Sequence, residues 1–351
     1  MSPKRQEPHR RHFSIVTETY PPEINGVALT LSHLVEGLRQ RGHQVSLVRP
    51  RQLADSVHPI SDASVTLVSG LPLPGYKSLR MGLPAADVLR RRWVQPPDVV
   101  YVATQGPLGW SAVGAARQLR IPVFSGFHTN FDNYAQHYYG SRLRSLILWY
   151  LKHFHNLTAG TIVPSVDLRD RLRAIGLKNI SVLGRGVDGR LFTPARRSAD
   201  LRRAWRAGKN AMVALYVGRI AAEKNLGLAI DAYRAMQRID SGMKFALVGD
   251  GPLRATLQKK HPDLIFCGVK TGDRLAAHYA SADIFLFPSE SETFGNVTVE
   301  AMASGLAVVA YDYAAARAHI KDGETGMLAS YGDAQAFIKA ATKLALRRQS
   351  R

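Results

Sequence analysis

Short, continuous apolar runs rich in β-branched and aromatic residues recur along the chain, separated by segments of helical period. The first half holds FSIV (13–16), QVSLV (44–48), VTLV (65–68), DVVYV (98–102), IPVF (121–124) and GTIV (160–163). The second holds MVALYVG (212–218), KFALVG (244–249), LIFCG (264–268), DIFLFP (283–288) and AVVAY (307–311). Strands apolar on both sides need cover on both faces, so this alternation specifies an α/β chain with doubly wound parallel sheets. One helix is legible residue by residue: after Pro21, Pro22 and Gly26, the side chains of Val27, Leu31, Leu34, Val35 and Leu38 share a face, and Gly42 ends it. Eleven such strands exceed one compact sheet, and GRGVDGRLFTPARRS (184–198) has the Gly, Pro and charge content of a connector. The expectation is two Rossmann-like domains, residues 1–190 and 191–351, facing a central cleft. Ligands of such domains bind outside the carboxyl ends of the strands.

Charge narrows the partners. With 47 Lys and Arg against 27 Asp and Glu, the net charge is +20. That surface favours nucleic acid, an anionic membrane face or a phosphorylated small molecule, and net charge alone does not choose among them. The single cysteine, Cys267, excludes an internal disulfide and a cysteine zinc cluster and fits a reducing cytoplasm. The basic start, MSPKRQEPHRRHFSIV, lacks the apolar core of a signal peptide, and no run of 18 apolar residues occurs.

The chemistry concentrates in loops that follow strands. In SESETFGNVTVEAMASG (289–305), Glu292 and Glu300 stand eight positions apart, between a strand ending at Pro288 and a helix starting near Gly295 or Asn296. Free amides at a helix N-terminus suit a phosphate, and Gly295 permits close backbone approach. Glu300 can then turn its oxygens to vicinal hydroxyls such as a ribose, and Glu292 to a sugar. Equally, Glu300 complements the helix dipole and Glu292 is solvated. VGRIAAEKN (217–225) places Arg219 and Lys224 after the first strand of the second half, as diphosphate ligands or as two surface cations. VGDGP (248–252) reads as a plain turn. In the first half, PPEINGVA (21–28) offers Gly26 as a phosphate contact or a simple tight turn. GFHTNF (126–131) puts His128 at a strand's carboxyl end, where a lone histidine is more often structural.

In this order along almost the whole chain, these motifs resemble the retaining glycosyltransferases of family GT4, with the GT-B fold; the E-x7-E pattern from Glu292 to Glu300 is the most specific element. The resemblance implies that Arg219 and Lys224 bind the diphosphate of a nucleotide sugar. Glu300 would hold the ribose, and Glu292 with the amides of Phe294, Gly295 and Asn296 the donor sugar and phosphate. Gly26 would approach the diphosphate, His128 would lie by the transferred sugar, and the loop of Gly268, Val269 and Lys270 would contact the base. It implies GDP-mannose as first donor, a UDP-hexose as second, and no cofactor and no metal; an Asp-x-Asp pair is absent near these motifs. It also implies front-face transfer with retention, through an oxocarbenium-like transition state. No carboxylate nucleophile is then required, and the dominant catalytic contribution is stabilisation of charge on the departing diphosphate.

The acceptor is read from residues 128–156. In GSRLRSLILWYLKHFHN (140–156), Leu143, Leu146, Ile147, Tyr150, Leu151 and Phe154 share a face expected to pack in the core. Arg142, Arg144, Trp149, Lys152 and His153 face away and suit an anionic membrane surface. GYKSLRMGLP (75–84) and Arg90–Trp93 add cations mixed with aromatic and aliphatic residues; a solvated basic helix and a mobile loop are the plainer alternative. HTNFDNYAQHYYG and the helix after it are similar to the branch of lipid-directed mannosyl and sulfoquinovosyl transferases. That similarity implies a lipid or glycolipid acceptor and a peripheral enzyme on the cytoplasmic side of the membrane. The alternatives are a soluble or polysaccharide acceptor, or a nucleic-acid-binding protein, although several cations fall in strand-end loops rather than along a groove with stacking aromatics. A nicotinamide enzyme would need G-x-G-x-x-G, which NGVALT and GDGPLR do not supply. A phosphorylase of the same fold would carry pyridoxal phosphate on a much longer chain. The family pattern continues past AQAFIKAATKLALRRQSR with a helix crossing back to the N-terminal domain, whereas the residues here run to Arg351.

Overall fold

A computed structural model describes residues 10–23, 25–56, 62–73, 76–128, 140–208 and 211–349. The chain forms two compact units, Met1–Gly184 and Arg185–Arg351. The first runs β1 (His12–Val16), α1 (Gly26–Gln40), β2 (Gln44–Pro50), β3 (Val65–Val68), β4 (Gly70–Leu73), β5 (Tyr76–Gly82), α2 (Ala86–Arg92) and β6 (Val99–Val102). It continues through α3 (Pro107–Gln118), β7 (Val123–Gly126), α4 (Gly140–Asn156), β8 (Gly160–Val163), α5 (Val166–Ala174) and β9 (Ile180–Val182). Seven of these strands make a parallel sheet in the order β3-β2-β1-β6-β7-β8-β9, and β4 and β5 pair separately as an antiparallel ribbon.

The second unit runs α6 (Ala199–Ala204), β10 (Val213–Val217), α7 (Leu226–Gln237), β11 (Lys244–Val248), α8 (Arg254–Lys260), β12 (Ile265–Gly268), α9 (Gly272–Ser281) and β13 (Ile284–Phe287). It ends with α10 (Asn296–Ala303), β14 (Ala307–Tyr311), α11 (Ala314–His319), β15 (Gly326–Ala329) and α12 (Ala334–Gln349). Its sheet is parallel, in the order β12-β11-β10-β13-β14-β15. β10 and β13 are buried along their whole lengths, which is why VALYV and IFLF read as unbroken apolar runs. Each sheet reverses its strand order once, between β1 and β6 in the first unit and between β10 and β13 in the second. At such switch points the loops leaving the two strands diverge and open a crevice.

The expected α/β architecture of two Rossmann-like sheets is present, and helix α1 buries Leu31 and Val35 as its stripe requires. Four strands escaped the reading of apolar runs: β4, β5, β9 and β15. β9 is three residues long, and β15, GMLA, opens on a glycine. Residues 76–82, read as part of a basic loop, are strand β5. Trp93, grouped there with a surface cluster, is buried to 2% exposure and donates its indole N–H to Ser14 Oγ at 3.0 Å. Within α4, Leu151 and Phe154 are buried but Leu146 is 58% exposed, next to Trp149 at 62%. The buried stripe is narrower than the sequence pattern, because Leu146 lies on the edge that Trp149 and His153 share at helical spacing. Side chains of Leu143, Arg142 and Arg144, and residues 129–139, lie outside the described residues.

Candidate active site

Two loops flank the switch point of the second unit. Gly218–Asn225 leaves β10 and Pro288–Gly295 leaves β13, and side chains fasten one to the other. Lys224 Nζ donates to Glu292 Oε1 at 2.5 Å, Asn225 Nδ2 to Glu290 Oε1 at 3.3 Å, and Ser291 Oγ to the carbonyl of Glu223 at 3.3 Å. Ser289 Oγ also donates to Glu292 Oε1, at 2.8 Å. Tyr313, from the segment after β14, donates its hydroxyl to the Ser289 carbonyl at 2.6 Å and accepts from the Glu292 amide at 3.0 Å. Glu292 is therefore held at backbone and side chain alike. Lys224 and Ser289 both bind Oε1, which leaves Oε2 to face other partners.

Burial pushes the Glu292 carboxyl up, but Lys224, Ser289 and Arg185 outweigh it and hold the group below the usual glutamate range. A carboxylate that stays ionised is an acceptor for hydroxyls, not a proton donor. Three positions on, Gly295 caps α10 in the left-handed region (φ 91°, ψ 63°) without a side-chain cap, a geometry that favours glycine. The first-turn amides of α10 thus carry the positive end of the helix. Arg185 reaches the same place: Nη1 donates to Asn296 Oδ1 at 3.3 Å, and the guanidinium carbon lies 5.9 Å from the Phe294 ring centroid.

The structure brings Lys224, Glu292, Phe294, Gly295 and Asn296 together at this switch point. Arg219 stands on the same loop, paired with Glu223 Oε1 at 3.2 Å, with its carbonyl accepting from Tyr216 Oη at 2.8 Å. Glu300, in the second turn of α10, is buried to 7% exposure and accepts from Tyr279 Oη at 2.9 Å. Burial raises its pKa and the Tyr279 bond offsets part of the rise. Val269 is exposed in the loop after β12, beyond Gly268 at φ 69°. The VGDGP turn has a packing reason besides its shape: a Cβ on Gly249 would fall 1.9 Å from the Gly218 carbonyl, and one on Gly251 2.4 Å from that of Ile220. Only glycines let this turn lie against the loop that carries Arg219 and Lys224. Residue-type reasoning missed Arg185, Ser289 and Tyr313. The one local signal for Arg185 is a glycine on either side of a cation in the segment read as a connector.

In the first unit, Asn25 caps α1, its Oδ1 accepting from the amides of Val27 at 3.1 Å and Ala28 at 2.9 Å. Gly26 is the first residue of that helix, and a Cβ there would meet nothing within 4 Å, so protein packing does not demand the glycine. His128, two residues past β7, pairs through Nε2 with Tyr101 Oη at 2.8 Å. A Cβ on Gly126 would strike both partners.

Glu18, beyond β1 at the first unit's switch point, has its pKa pushed up to about 7 by burial, against the stabilising amides of Leu108 and Gly82. Unfolded, this carboxyl titrates near its ordinary value of 4.5. Between those two values the folded chain keeps a proton that the unfolded chain has released, so stability falls as pH rises through that window. Buried His155, held down to about 3 by desolvation, works in the other direction, costing stability as pH falls below 6.5. The difference between parent and Glu18→Gln isolates the first effect. Thermal unfolding should show the variant gaining on the parent from pH 5 to pH 8, and a constant difference across that range would refute the assignment.

Among the described residues there is no cluster of His, Cys, Asp and Glu suited to a metal ion, and no helix long and apolar enough to cross a membrane. Residues 24–190 match the family described as Glycosyltransferase Family 4, and residues 211–346 that described as Glycosyl transferases group 1. A GDP-mannose-dependent alpha-mannosyltransferase of Corynebacterium glutamicum is 31% identical over 332 residues, spanning 94% of this chain and 79% of that protein. A GDP-mannose-dependent alpha-(1-6)-phosphatidylinositol dimannoside mannosyltransferase of Mycobacterium tuberculosis is 34% identical over 306 residues, 84% of this chain and 77% of the relative. The crystal structure of Anabaena HepE in complex with UDP and glucose superposes with a TM-score of 0.71 at 20% identity, covering 97% of this chain and 95% of that one. At that identity the likeness speaks for the fold alone.

Proposed function

This chain belongs to glycosyltransferase family 4, a retaining glycosyltransferase with the GT-B fold, and from that premise we propose that it moves a hexose, mannose first, from a nucleotide sugar to a membrane lipid or glycolipid. The observation that carries the donor half is the Lys224–Glu292 pair, fastened across the switch point beside the N-terminus of α10, which has no side-chain cap. Lys224 and Arg185 bring positive charge beside Glu292 at the positive end of α10, so the site favours an anion such as a diphosphate. As the glycosidic bond breaks, negative charge grows on the departing diphosphate. Lys224, Arg219 and the amides of Phe294 to Asn296 are fixed before that moment and need no reorganisation. Glu292 Oε2 accepts from the donor sugar's hydroxyls, and Glu300 from the ribose, with Val269 against the base. Gly26 and His128 complete the assignment from the first unit, at the diphosphate and the transferred sugar.

The lipid acceptor is supported by exposed Leu146, Trp149, Lys152 and His153 on α4, by a net charge of +20 and by the acceptor in the mycobacterial relative's name. On this reading the enzyme works peripherally on the cytoplasmic face of the membrane and takes neither metal nor cofactor. GDP-mannose and UDP-glucose should be offered separately with vesicles of anionic phospholipid and diacylglycerol. Sugar transfer into the lipid phase from one donor, persisting in EDTA, is the expected result. Transfer only to soluble oligosaccharide, with no vesicle binding at low salt, would overturn the lipid half and leave the donor half standing.

A further inference from the structure

We propose that Arg185 is a phosphate ligand of the donor site, selecting a diphosphate over a monophosphate; this rests on the reading of that site given above. Three observations place it there. Its Nη1 lies 3.3 Å from Asn296 Oδ1, on the first residue of α10, and its guanidinium carbon is 5.9 Å from the Phe294 ring centroid. Its charge helps to hold Glu292 ionised. It thus adds a second cation to the charge of Lys224 on Glu292, close to Gly295, which caps α10 without a side-chain bond.

The chemistry of the group fits that task. A guanidinium presents two parallel N–H donors to two phosphate oxygens, which a lysine ammonium cannot do, and it tolerates an aromatic neighbour because it is weakly hydrated. The bond it makes to the Asn296 carboxamide is a long one to a neutral acceptor, whereas a bond to a phosphate oxygen is charge-assisted and stronger. A diphosphate brings one more charged phosphate to neutralise than a monophosphate does, and Arg185 adds its fork to the charges of Lys224 and Arg219 for that purpose.

The test is titration of GDP, UDP, GMP and UMP into the parent, Arg185→Gln, Arg185→Lys and Lys224→Ala. Arg185→Gln should weaken the better-bound diphosphate by about tenfold or more while moving its monophosphate by less than about threefold, and should flatten the salt dependence of diphosphate binding. A cation that merely fastens its own segment to α10 would move both nucleotides together. If Arg185→Gln fails to fold, Arg185→Lys carries the same test, because it keeps the charge without the fork. A loss of about threefold confined to the diphosphate supports the proposal, and a parental ratio of diphosphate to monophosphate affinity contradicts it. Diphosphate binding lost in Lys224→Ala but retained in Arg185→Gln overturns the role of Arg185 alone. Diphosphate binding retained in both overturns the reading of the whole site.

Discussion

Lys224→Ala is expected to lower hexosyl transfer by about 10²- to 10³-fold, the loss that follows removal of one fixed donor from a site of developing negative charge. The side chain is placed for that effect by its loop: the short 3-10 turn Ala222–Lys224 and left-handed Asn225 turn it back across the switch point, where it meets Glu292 at 2.5 Å. Removing it takes away the main groups that offset burial, so the Glu292 pKa rises, while Ser289 and the nearby charge of Arg185 remain as partners. The fold should survive, because the Asn225–Glu290 and Ser291–Glu223 links still join the loops. Circular dichroism and melting temperature close to the parent's, with turnover collapsed, is the expected pair of results. Turnover within a few-fold of the parent would mean that the ion pair is scaffolding.

Gly249→Ala should damage stability and binding together. The residue lies at φ 140°, and a methyl group there would sit 1.9 Å from the Gly218 carbonyl, a backbone atom that no rotamer change removes. Accommodating it means separating the turn after β11 from the loop after β10, at a cost of about 3 kcal/mol by analogy with overpacked cores. For a unit of this size that corresponds to a melting temperature lower by roughly 6–12 °C. Gly218 immediately precedes Arg219, so the displacement passes into the loop that carries both cations. Nucleoside diphosphate affinity should therefore fall although Gly249 itself offers no side chain to a ligand. Parental melting and affinity would show that the two loops yield more easily than their backbone contact implies.

The parts of the fold legible in the sequence were those written in long, uniform runs. β10 and β13 are apolar throughout because both of their faces are covered, and the loops that follow them are where strand-end chemistry must lie. The sequence pattern therefore already places Lys224, Glu292, Gly295 and Asn296 near one another at strand ends. It does not place Arg185, since its partner Asn296 lies 111 residues away and nothing local distinguishes it from the other arginines of a basic chain. Tyr313 is hidden for the same reason, acting on Ser289 and Glu292 from another strand-end loop. Helical period located α4 and most of its buried side but not its edge, so Leu146 was read as core although it is exposed. Trp93 errs the other way, because nothing local to RRRW shows that it packs among Val16, Val100, Leu108 and Phe154 from distant segments of the unit.

Calorimetric titration of GDP and UDP into the purified protein at low salt, repeated with Lys224→Ala, tests the central claim most directly. The account predicts that one of the two fills a single site in the parent, weakens as salt is added, and is lost in the variant. Binding of neither nucleotide by the parent, or equal binding by parent and variant, would contradict a donor site built on Lys224 and Glu292.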